Sequence, residues 1–151
     1  MSYNNAQSSG ISNTVAIDIG YNEISAAATT FNYEAIAIPA YAIVRSVSYF
    51  LLETFDGGAT SGLTVQLGDG TDPNGYILAS QVHEDGTEVI AATTDGAYLT
   101  IGTDTNTENG KLYGASADTI DVLFTATGGN TSVLTQGKIR VIVSFDDIAQ
   151  V

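Results

Sequence analysis

The residues of this chain able to do chemistry are few, and they gather at turns. His83 is the sole histidine and lies in 81-QVHEDGTE-88 among acidic residues. A serine–histidine–aspartate site built on a nucleophile elbow would show a G-x-S-x-G sequence, and none is present. Metal ligation through histidine needs further ligands at set spacing, and these are missing. His83 therefore reads as an exposed loop residue. Two adjacent carboxylate pairs, Glu84–Asp85 and Asp146–Asp147, are of the type that glycoside hydrolysis uses. That reaction needs two acids converging across a cleft, normally beside aromatic sugar platforms. Tryptophan is absent, and the pairs fall beside a turn or past the end of the last apolar run. Solvated charge is the expectation for both.

The stretch 65-VQLGDGTDPNGYIL-78 is the remaining candidate, because Asp69, Asp72 and Asn74 supply oxygen ligands close together. A calcium loop of the D-x-[DN]-x-[DN]-G type needs ligands at alternating positions. Counting from Asp69, positions three and five are Thr71 and Pro73; counting from Asp72, Asn74 fits but Tyr76 follows. The register fails both ways. Two stacked turns remain, with Pro73 fixing φ, Gly70 and Gly75 supplying positive φ, and Asp72 capping the second turn through its side chain. Phosphate-cradling glycine motifs are missing as well. The sequence thus offers no catalytic, cofactor-binding or metal-binding residue, and no cofactor is expected.

The elements around these turns are strands. Ile139, Val141, Val143 and Phe145 alternate with Lys138, Arg140 and Ser144, and Ile120, Val122, Phe124 and Ala126 alternate with Asp121, Thr125 and Thr127. Shorter alternations occur at 14-TVAIDI-19, 63-LTVQL-67 and 97-AYLTI-101. Period two with β-branched residues marks half-buried strands. The run 42-AIVRSVSYFLLETF-55 is richer in apolar residues and reads as a long strand buried on both faces, with a helix as the competing reading; 76-YILASQV-82 fits a strand or a short helical turn. Asp-Gly, Asn-Gly and Gly-Gly pairs punctuate the chain from Asp56-Gly57-Gly58 to Gly128-Gly129, as hairpin turns require. Many short strands so spaced indicate a single all-β sandwich or barrel domain over residues 14–151, preceded by a polar, flexible N-terminal arm over 1–13.

At 151 residues the chain suits one domain with a core of its own. It has no cysteine, and the start MSYNNAQSSG lacks the basic and apolar regions of a secretion signal, so synthesis in the cytoplasm is expected. No apolar run is long enough to span a bilayer as a helix, so no membrane association is expected. Seventeen acidic residues against four basic ones give a formal charge of −13. Such a surface repels phosphate backbones, and direct nucleic-acid binding is not expected.

Three stretches carry a family likeness: 37-AIPAYAIVRSVSYFLLETFDGG-58, the V-x-L-G-D-G-x-D-P-N-G connection beginning at Val65, and 134-LTQGKIRVIVSF-145. Together they cover about half the chain, and in layout they resemble small virion β-sandwich proteins of tailed bacteriophages, above all capsid decoration (cement) proteins. The resemblance implies a jelly-roll-like antiparallel β-sandwich, a homotrimer, the major capsid protein as partner, a place on the outer capsid surface where it stabilises the shell, and no enzymatic activity. A carbohydrate-binding module of a tail or head fibre that recognises a receptor is the alternative. The short polar arm favours decoration over a fibre.

Overall fold

The computed structural model describes residues 11–93, 95–99 and 110–150. Nine strands form among them: β1 (Ile11–Gly20), β2 (Thr30–Ile38), β3 (Ala42–Asp56), β4 (Gly62–Gly68), β5 (Ile77–Gln81), β6 (Ala91–Thr93), β7 (Lys111–Leu112), β8 (Asp118–Thr127) and β9 (Gln136–Asp147). They build two antiparallel sheets. Sheet A has the order β1-β9-β3-β6, with β7 also paired to β3, and sheet B has the order β2-β8-β4-β5.

The pairings describe one long hairpin wound on itself. β4 pairs with β5 at its tip, β3 with β6 and β7, β2 with β8, and β1 with β9. Winding places successive pairs alternately in the two sheets, and β3–β9 and β4–β8 contacts then close each sheet. This is jelly-roll connectivity, and the single-domain all-β sandwich expected from the sequence is what forms.

The alternating residues of the long strands fill the space between the sheets. Ile139, Val141, Val143 and Phe145 of β9 and Val44, Val47 and Tyr49 of β3 are buried, as are Ile120, Val122 and Phe124 of β8 and Leu63, Val65 and Leu67 of β4. Phe55 of β3 and Phe124 of β8 meet across the sandwich with ring centroids 6.0 Å apart. Burial of these side chains is the main stabilising term, at about 1.5–3 kcal/mol each.

Several local expectations need correction. The 42–55 run is a strand, but only one of its faces is buried: Phe50 and Leu52 are 42% and 48% exposed. Nothing among the described residues covers sheet A from outside. The 76–82 stretch supplies strand β5. Ala97–Leu99 form a turn instead of a strand, since Tyr98 donates its N–H to Gly75 and its hydroxyl to Asp69; Thr100 and Ile101 lie outside the described residues. Asp146 and Asp147 are the last residues of β9, not part of a tail beyond it. β1 begins at Ile11, three residues ahead of the expected boundary, and residues 1–10 of the arm lie outside the described residues.

Candidate functional site

His83 is fully buried, contrary to the exposed position its acidic neighbours suggest. Backbone bonds explain this: Phe55 N–H donates to Val82 and Glu84 N–H to Phe55, lacing 82–84 beside the end of β3 in a parallel bridge. Gln81 Oε1 gathers the N–H groups of Leu63, Val82 and His83 and draws the turn inward. The imidazole Nδ1 accepts the Asp85 N–H at 3.1 Å, so the neutral ring carries its proton on Nε2. That atom has no hydrogen-bond partner among the described residues, and Asp56 Oδ1 stands 3.7 Å away. Among the described residues no hydroxyl bonds to the ring. Glu84 and Asp85 are exposed, and the Glu84 carboxyl is held above its ordinary value, first by the charge of Asp56. Asp146 is engaged by Arg45 at 2.8 Å, and Asp147 accepts the Ala149 N–H. The two carboxylate pairs do not converge on a cleft.

The 69–75 connection is a pair of turns, as its register predicts. Asp69 N–H and Gly75 N–H both donate to the Asp72 carbonyl, and Asp72 Oδ1 accepts the Asn74 N–H at 3.3 Å. The glycines act differently from expectation, because neither Gly70 nor Gly75 has positive φ. Gly75 is needed for close approach: a Cβ there would overlap the Tyr98 ring.

Asp69 itself holds a buried network invisible from local sequence. Its Oδ1 accepts N–H groups from Thr71 (2.9 Å) and Asp72 (3.0 Å) and the Tyr98 hydroxyl (2.8 Å). Its Oδ2 accepts the Lys111 ammonium and the Tyr113 hydroxyl (3.0 Å), and the Tyr113 oxygen also lies 2.9 Å from that of Tyr76. The Lys111 ammonium in turn sits over the Tyr98 ring, 3.3 Å from its centroid. Burial alone would raise the Asp69 pKa, but Lys111, the Asp72 N–H, Tyr98 and the Thr71 N–H outweigh it and hold the carboxyl below its ordinary value. Burial, together with the nearby Asp69 charge, pushes the three tyrosines up, so they remain donors. Five donors on two oxygens leave this carboxylate committed to structure. It fastens the chain on both sides of 100–109, through Tyr98 before and Lys111 and Tyr113 after.

The outer face of sheet A is the surface with a distinctive composition. All four basic residues of the chain lie on its strands: Arg45 on β3, Lys111 on β7, and Lys138 and Arg140 on β9. Lys111 is turned to Asp69, whereas Arg45, Lys138 and Arg140 are exposed. Arg140 forms a two-pronged ion pair with Asp18 of β1, at 2.6 and 2.9 Å. Along the β3–β6 border stand three exposed large apolar residues, Phe50, Leu52 and Ile90. Register brings them together, since Phe50 pairs with Ala91 and Leu51 N–H donates to Ile90. The outer side of sheet B carries Thr64, Gln66, Asp121, Leu123 and Thr125, and Leu78 of β5 is also exposed.

No protein-family model matches the sequence, and no curated protein shows significant similarity to it. Solved structures do align with the chain. A chain of the cyanophage Pam1 capsid asymmetric unit aligns with a TM-score of 0.57 at 19% identity, over 90% of this chain and 84% of that one. A chain of the acidic stable capsid structure of Helicobacter pylori bacteriophage KHP30 aligns with a TM-score of 0.49 at 16% identity, over 88% and 86%. The crystal structure of FLHE follows at 0.38 and 14%, over 89% and 98%.

Proposed function

We propose that this protein is a non-enzymatic structural component of a bacteriophage virion, a decoration protein that binds the outer surface of the capsid through the major capsid protein and stabilises the shell. The observation that carries this reading is the outer face of sheet A, where three exposed basic residues and the Phe50–Leu52–Ile90 cluster share one side of an otherwise acidic molecule. The fold shared with a chain of the Pam1 capsid supports it. A protein of net charge −13 stays dispersed before assembly, and it then needs apolar contact to hold a partner.

The apolar cluster also supports a homotrimer closed around the β3–β6 border. Three copies bring three times −13, or −39, charges together, so Coulomb forces oppose the trimer and apolar burial must exceed them. A symmetric trimer then multiplies weak contacts with a repeating lattice into durable attachment. Counting copies on purified particles tests the decoration role, and light scattering on the isolated protein tests the trimer.

A further inference from the structure

We propose that β1 is a self-association edge, where a second copy of the chain adds to sheet A, strand β1 against strand β1 about a two-fold axis. Sheet edges invite pairing, and soluble proteins blunt them with charge, proline, bulges or short length. Three of the four edges here follow that rule. β6 has three residues, β5 has five, and β2 carries Glu34 with a register break beside it. β1 does not. It runs ten residues in unbroken register with β9, from Ile11 opposite Asp147 to Gly20 opposite Lys138, and pairs with no other described strand. Residues Ile11–Ile17 contain no charge, proline or glycine.

Two further observations select a second copy as the occupant. Molecules of charge −13 can approach closely only where carboxylates are few or neutralised. Two of the three carboxylates on β1 or opposite it are neutralised: Asp18 is held by Arg140, and Asp146, opposite Ser12, is held by Arg45, while Asp147 stands at the end of the strand opposite Ile11. The strand is also compatible with itself. Antiparallel pairing centred on Thr14 sets Ser12 against Ala16 and Asn13 against Val15, with no carboxylates face to face. Val15 is 38% exposed although its neighbour Val143 is buried, and an added strand would cover it. The β3–β6 border lies on the opposite side of sheet A, so two-fold pairing at β1 leaves the trimer contact free. Three-fold and two-fold contacts on opposite edges would link copies into a continuous net.

Because the chain lacks cysteine, single-cysteine variants test this without background. Ser12→Cys, Thr14→Cys and Ala16→Cys, all at exposed positions, are oxidised in the isolated protein beside Thr127→Cys, an exposed control at the end of β8. One of the three should give a disulfide-linked dimer at least about tenfold faster than the control, because pairing holds the thiols at high effective concentration. Adding Val15→Lys, an edge charge that leaves the far-ultraviolet circular dichroism unchanged, should remove that advantage. Cross-linking no faster than the control at all three positions, equal rates at the three, or an advantage that survives Val15→Lys in a folded protein would each overturn the proposal. A foreign strand as the true occupant of this edge would show as the first of these outcomes.

Discussion

Asp69 takes up five donors on its two oxygens, and its charge is therefore matched inside the protein and not by an added ion. Removing it leaves the Lys111 ammonium, 15% exposed, without its partner. Breaking such a pair costs about 3–5 kcal/mol, and Asp69→Ala should lose that much in urea melts. The pH dependence follows from the direction of its shift. A carboxyl held below its ordinary pKa contributes its full stability above that ordinary value, and the contribution is lost as pH falls through the lowered one. Melting temperatures should therefore stay level for this group from neutrality to about pH 4 and fall below it; an equal acid slope in Asp69→Asn would contradict this. A chelator should leave the melting temperature unchanged, and a fall reversed by calcium would reopen the ligand reading of Asp69, Asp72 and Asn74. Little of this residue-level chemistry was legible in sequence. Tyr98, Lys111 and Tyr113 lie 29, 42 and 44 positions from Asp69, and only the winding of the chain brings them together. His83 misled for the same reason, since its burial comes from bonds to β3 and not from its acidic neighbours.

Strands were far more legible, because a half-buried strand writes its two faces into alternate residues. Val122, Phe124, Val141, Val143 and Phe145 all face the interior as the alternation requires. Phe124→Ala should cost about 3–5 kcal/mol in denaturant melts, since the ring is fully buried and packs on Phe55; a loss below about 1 kcal/mol would contradict this placement. Alternation gave the wrong answer where a side chain was claimed by a distant group, as with Tyr98 in the turn at Ala97–Leu99. It also could not tell a strand covered on both sides from one with an apolar outer face. The residues of β3 look the same either way, and the difference lies in whether another layer exists above Phe50 and Leu52.

At the scale of the whole molecule, the sequence supplied a charge of −13 but not its distribution, which depends on β3, β7 and β9 lying side by side in one sheet. That arrangement gives sheet A an outer face on which Arg45 and Arg140 are paired with Asp146 and Asp18 beside the exposed Phe50, Leu52 and Ile90. If the apolar cluster closes a trimer, light scattering at tens of micromolar on the Val15→Lys variant, whose β1 edge is blocked, should give three times 15.6 kDa, and adding Phe50→Ser with Leu52→Ser should give folded monomer. A monomer before those serines are added would contradict the trimer. The decoration role is tested most directly by the number of copies per purified particle, measured by quantitative mass spectrometry against the major capsid protein. Decoration predicts hundreds of copies in fixed ratio to the shell subunits. A handful of copies confined to one vertex would contradict it and assign the chain to a fibre instead.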